Sequence, residues 1–192
     1  VEITNTLREA RQYVFGVTNY VNWTSPTNWR FTSVDTWPPF VTNVTSDTPD
    51  DFYTTGAVIQ VQLQFTENIT MDTSGGTPTV ELGVGPTGQV GAAQFVALTN
   101  DYIMLFEYEV QPGDFRTNLD YASTNSFQLN GAVVKDLSGS NAVLALPDVG
   151  STNSLSWNKE INLDTIPPKV KKVTSVTPDD YYSTGSVINV EI

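Results

Sequence analysis

Residues 35–63, DTWPPFVTNVTSDTPDDFYTTGAVIQVQL, return as residues 164–192, DTIPPKVKKVTSVTPDDYYSTGSVINVEI, with 18 of 29 positions identical at a constant offset of 129. A repeat of that length, free of gaps, limits the chain to an array of like modules. What is shared has physical meaning: a Pro-Pro linker, a Val-x-x-Val-Thr-Ser strand, a Thr-Pro-Asp-Asp turn, then Gly and an alternating strand. The complete module occupies residues 37–165. Residues 166–192 open a second copy and stop after its second strand. Val34-Asp35-Thr36 parallels Leu163-Asp164-Thr165, so residues 1–36 read as the end of a preceding module or as a donor segment.

Hydropathy has a period of two throughout the complete module, which makes the fold all-β. Val61, Leu63 and Phe65 alternate with Gln60, Gln62 and Gln64. Val80, Leu82 and Val84 repeat the pattern, as do Ala93, Phe95 and Ala97, and Met104, Phe106, Tyr108 and Val110. Phe127 and Leu129, then Val133 and Val134, give two short strands, and Trp157 to Leu163 another. Turn signals separate them at Ser74-Gly75-Gly76, Gly85-Pro86-Thr87-Gly88, Gln111-Pro112-Gly113-Asp114 and Ser138-Gly139-Ser140-Asn141. Seven or eight short strands at this spacing predict an immunoglobulin-like antiparallel β-sandwich. Val61, Leu63, Phe65, Leu82, Phe95, Phe106, Tyr108 and Trp157 are its expected core. The chain ends would form a partial second sandwich. A helix signal occurs only at the N-terminus, where Asn5 could cap Thr6 to Val14.

The residues Tyr53, Gly56, Ile59, Phe65, Gly76-Thr77-Pro78, Leu82, Phe106-Glu107-Tyr108-Glu109-Val110, Asp114, Leu119-Asp120-Tyr121, Leu129-Asn130-Gly131, Leu146-Pro147 and Asp164-Thr165 carry a resemblance. Together they are similar to the tandem immunoglobulin-like repeats of large secreted and surface proteins of bacteria and algae. The resemblance spans about residues 36–165 and the truncated copy. It implies extracellular stalks, adhesins or fibrils, and no enzyme.

Composition narrows the chemistry. There is no His and no Cys, which excludes a Ser-His-Asp triad, an imidazole zinc site, a thiolate nucleophile and disulfides. Nine basic residues against 21 acidic give a net charge of −12, which repels nucleic acid and anionic membranes and favours divalent cations as counterions. No apolar run approaches the roughly 18 residues of a spanning helix, the longest being Tyr102-Ile103-Met104-Leu105-Phe106. The chain begins at Val1 without Met or leader and reads as a processed or excised piece.

Gly83-Val84-Gly85-Pro86-Thr87-Gly88 fits G-x-G-x-x-G, but Gln89 to Thr99 alternates as a strand where a dinucleotide site needs a helix. A hairpin loop is the expectation. Asp35, Asp50, Asp51, Asp164, Asp179 and Asp180 lie at matching turns and module ends. Converging there they could hold calcium, whereas Pro-Asp-Asp alone is a type I turn that caps backbone. A glycosidase dyad would need two facing carboxylates, and no pair stands out. Sequons occur at Asn22, Asn43 and Asn68, so glycans are expected on one or more of them. Asn43 is matched by Lys172, which points to solvent if both copies fold alike.

These readings lead to an expected structural subunit of an extracellular filament or surface fibre. Val187, Ile188, Val190 and Ile192 form a half-apolar strand whose sheet partners are absent from the second copy. Either the chain is cut from a longer tandem protein, or a neighbouring copy completes the module by strand addition. Tyr13, Phe15 and Val17, in the N-terminal segment, are candidates to meet it, and the expected partner is a copy of the chain in a head-to-tail polymer. The competing expectation is an adhesin-type binding module recognising a glycan or surface protein, with Trp23, Trp29 and Trp37 stacking on sugar.

Overall fold

The computed structural model describes residues 37–86 and 88–192, which belong to a compact unit, Asp35–Ile192. Asn22, Asp35, Tyr13, Phe15, Val17, Trp23, Trp29 and the helix expected from Thr6 to Val14 lie outside the described residues.

The period-two segments form the strands of an all-β fold. A six-stranded antiparallel sheet runs in the order β1 (Val41–Thr45), β3 (Val58–Phe65), β7 (Ile103–Glu109), β6 (Val90–Thr99), β5 (Thr79–Gly83) and β9 (Phe127–Gln128). Its register places Val61 opposite Phe106 and Leu63 opposite Met104, so the apolar rows of β3 and β7 fall on one face. Ile59, Val61, Leu63, Phe65, Met104 and Phe106 are all buried there, while the glutamines of β3 face outward. A one-residue slip would send every one of them to solvent. Phe106 sits centrally, edge-on to Phe95 at 5.7 Å and to Phe127 at 6.0 Å between ring centroids.

Three shorter groups of residues complete the same core. β4 (Ile69–Asp72) pairs antiparallel with β10 (Val133–Asp136), adding Ile69 and Val134. β11 (Ile161–Asp164) lies between β2 (Asp51–Tyr53) and β8 (Phe115–Arg116), adding Ile161 and Leu163. Leu119, Tyr121 and Leu155 come from the loops and from a short helix, α1 (Leu155–Asn158). Burial in this core pushes the phenols of Tyr108 and Tyr121 well above the ordinary tyrosine range.

Three expectations change. Trp157 does not begin a buried strand; it lies in α1 and is 63% exposed. Ser154 causes this, because its hydroxyl accepts the Trp157 N–H and caps one helical turn. Leu155 then faces inward, and Trp157, two residues or about 200° further round, faces out. The strand starts only at Ile161. Phe95 is half-buried, since a bulge between Phe95 and Ala97 interrupts the pleat of β6. The sheet pairing also departs from a wholly antiparallel pattern, because β11 runs parallel to β2.

The loop holding G-x-G-x-x-G joins β5 to β6 as a hairpin, with the Val84 N–H donating to the Gln89 carbonyl at 3.0 Å. Among the described residues no helix is long and apolar enough to cross a membrane.

Candidate assembly surface

The second copy repeats the first bond for bond at short range. β12 (Thr174–Ser175) pairs antiparallel with β13 (Val190–Glu191), and Thr174 opposite Glu191 reproduces Thr45 opposite Gln62. Ser46 donates to the Gln60 carbonyl at 2.6 Å, and Ser175 to the Asn189 carbonyl at 2.7 Å. The same serines accept the Thr48 and Thr177 N–H groups at 2.9 and 3.0 Å. Thr48 and Thr177 in turn accept the Gln60 and Asn189 N–H groups, both at 2.9 Å. Tyr53 donates to Pro49, and Tyr182 to Pro178. Gly56 at φ +85° and Gly185 at φ +92° turn the chain into the following strand, a left-handed conformation that costs glycine nothing.

Burial separates the two copies. Val41 is 4% exposed, and Val44, Ile59, Val61 and Leu63 are fully buried. Their counterparts Val170, Val173, Ile188, Val190 and Ile192 are 65, 63, 45, 62 and 87% exposed. Each such side chain gains about 1.5–3 kcal/mol when buried, so this face forgoes roughly 10 kcal/mol. Val187, also on the expected assembly strand, is 77% exposed.

In the complete module, its closing residues lie on its opening ones. The Val143 N–H donates to the Pro39 carbonyl and the Val44 N–H to the Asn153 carbonyl, both at 2.8 Å. Asn158 Nδ2 donates to the Val44 carbonyl at 2.8 Å and to Asn43 Oδ1 at 2.7 Å. β11 adds to β2, with Leu163 beside Tyr53. Asp50 Oδ1 accepts the Glu160 N–H and lies 3.1 Å from Lys159 Nζ. That N–H first, and the ammonium second, hold the Asp50 carboxyl below the usual carboxylate range.

The exit from the module is also fixed. Thr165 Oγ1 accepts the Gly113 N–H at 2.9 Å and donates to the Asp114 carbonyl at 2.8 Å. The Thr165 N–H donates to the same carbonyl at 3.2 Å. Asp114 is itself buried, its carboxylate accepting the Tyr108 hydroxyl at 2.6 Å and the Gln111 N–H at 2.8 Å.

The carboxylates considered for calcium have local partners. Asp51, Asp164 and Asp180 accept the N–H groups of Phe52, Ile166 and Tyr181. Asp51 is opposite Ile161 in the parallel pair, which puts Asp164 three residues, or about 10 Å, further along. Asp179 is exposed. Among the described residues no three carboxylates gather as a metal site. Asn68 is exposed in the turn between β3 and β4, whereas Asn43 is half-buried in β1 and donates its amide to Gln64 Oε1 at 3.1 Å. Lys172, its counterpart, is exposed. The Lys159–Asp50 pair and the Thr165 clasp escape the sequence reading, because each joins residues far apart in the chain. Their signal was a lone basic residue and a Thr recurring at the same place in each module.

A shallow groove of about 580 Å³ crosses the outer face of the large sheet, lined by Val58, Val90, Val96, Gln94, Glu107 and Glu109 among others. No protein family, curated protein or solved structure matches this chain.

Proposed function

We propose that this chain is a non-enzymatic structural subunit of an extracellular filament or surface fibre, built from immunoglobulin-like sandwich modules and assembling head to tail. One observation carries the reading: residues 166–192 repeat the strand register and turn bonds with which residues 37–63 open the complete module, as an array of like modules requires. The apolar positions Val170, Val173, Ile188, Val190 and Ile192 are the counterparts of ones that the first copy buries, which supports a second module of the same kind. The enclosed core, built without cysteine, and the fixed exit at Thr165 suit a bead in a load-bearing array. Negative-stain microscopy and sedimentation of native material test the reading. Fibres or a concentration-dependent ladder of oligomers are the expected result, and monodisperse particles at all concentrations overturn it.

The groove favours a second reading, an adhesin-type module that binds a glycan. Its glutamates and glutamines could pair with sugar hydroxyls while the valines cover apolar ring faces. Binding of neutral oligosaccharides to the monomer, lost in Glu107→Ala, is the result that reading requires.

A further inference from the structure

The large sheet of the complete module forks at one end. From its hairpin, the ladder between β6 and β7 runs back to Gln94 opposite Glu107 and stops. β6 nevertheless extends to Val90, paired there with β5 alone, and β7 extends to Glu109, paired there with β3 alone. The groove on the outer face opens into this fork, and the Tyr108 ring lies at its floor under Gly91, where a Cβ would stand 2.5 Å from the ring. Val110 exchanges bonds with Gly56 and Ala57, so alternation turns the Glu109 carbonyl away from β3 and into the fork. Ala92 is turned likewise away from β5, because Gln89, three residues earlier, is bonded to Val84. Each of these carbonyls accepts an exposed glutamine amide, Ala92 that of Gln94 at 3.2 Å and Glu109 that of Gln111 at 2.8 Å. Side chains stand where a neighbouring strand would donate.

The rim carries charge of one sign. Glu107 and Glu109 share the outer face of β7, two residues or about 6.8 Å apart. No basic residue lines the groove, and neither glutamate has an ion pair among the described residues. Val58, Val90 and Val96 add apolar surface, each about half exposed. We infer that the fork takes an extended segment of another protein that carries Lys or Arg at alternate positions. This rests on the adhesin reading of the groove, with a protein segment in place of the glycan.

Charge and spacing select that occupant. An extended chain repeats every two residues as β7 does, so one basic side chain meets Glu107 while the next but one meets Glu109. Their methylene stems lie along the valines. Backbone N–H groups of the segment take the place of a glutamine amide at the fork's edge, a short strand addition. A metal ion is a poor fit, since no three carboxylates gather among the described residues. A neutral sugar gains nothing from the spacing of two charges, and Tyr108, the one aromatic residue in the lining, is too buried to stack on it.

Two labelled Lys-Thr peptides of equal length and Lys content, titrated with the full chain and followed by fluorescence anisotropy, test this. One has Lys at every second position, the other at every third, which puts successive lysines on opposite faces of an extended chain. The first should bind about threefold more tightly or better. Glu107→Gln and Glu109→Gln should each weaken its binding about threefold, and the double variant about tenfold. Glu160→Gln removes the same charge just ahead of β11, in the other sheet, and should leave binding unchanged. Unchanged thermal melting of each variant keeps a folding defect from imitating the result. Equal binding of the two peptides, or equal losses in all three single variants, means attraction by the net charge of −12 alone and overturns the site. Cellohexaose bound where neither peptide binds overturns the protein segment and leaves the glycan reading standing. A chain that binds none of the three overturns both.

Discussion

Residues 37–63 and 166–192 are near-copies in sequence and in hydrogen bonding, yet one is the wall of a core and the other is bare. Ser46 and Ser175, Thr48 and Thr177, Tyr53 and Tyr182 make the same bonds in both. Strand register and turn shape are therefore properties of about 25 local residues. Burial is not: it comes from β7, α1 and β11, which the first copy has and the second lacks among the described residues. Local bonds decide the form of the half-module, and the remaining strands decide whether it is stable alone.

The largest effect should come from removing what covers the first copy. Phe106→Ala takes out the ring that faces Val61 and meets Phe95 and Phe127, and should cost about 3–5 kcal/mol in chemical denaturation. Next, Val61→Ala should cost about 2 kcal/mol, whereas Val190→Ala, at the same place in the second copy, should fall within about 0.5 kcal/mol in a solution of monomer. Equal losses would mean that the two faces are equally buried in solution. Smaller again, Ser46→Ala should cost about 1 kcal/mol as a lost hydrogen bond in a buried turn. Ser175→Ala should leave the global melt unchanged and raise amide exchange only around Thr177 and Asn189.

The smallest effect is acid dependence. The Glu160 N–H and Lys159 lower the folded pKa of Asp50, so its contribution is present above the unfolded carboxyl value, near 3.9, and fades as pH falls through the lower folded one. Carboxyl chemical shifts should show Asp50 titrating below an ordinary aspartate. In Lys159→Gln the midpoint should move up toward the ordinary value, with the Glu160 N–H bond still holding it somewhat low.

What the sequence made legible follows the same division. Alternation located Val61, Leu63, Phe65, Leu82, Phe106 and Tyr108 in the core, because a strand's side-chain period is two whatever its neighbours are. It placed Trp157 wrongly, since a single Ser cap can convert four residues to a helical turn that no period reveals. Pairing between β2 and β11 joins residues 110 apart, Asp51 and Ile161, and no local pattern encodes it. The apolar face of the second copy was legible in Ile188, Val190 and Ile192, whose counterparts Ile59, Val61 and Leu63 are buried, but not in Val187, whose counterpart Val58 is 51% exposed. The exit at Thr165 was not, since its partners are backbone atoms of Gly113 and Asp114.

That exit couples the chain leaving the module to the module's core. At Thr165 three hydrogen bonds converge on the Gly113–Asp114 turn, and the Asp114 carboxylate in turn accepts the Tyr108 hydroxyl. Thr165, which lies outside every strand, thereby ties the end of β11 to the turn that follows β7 and, through Asp114, to a buried phenol.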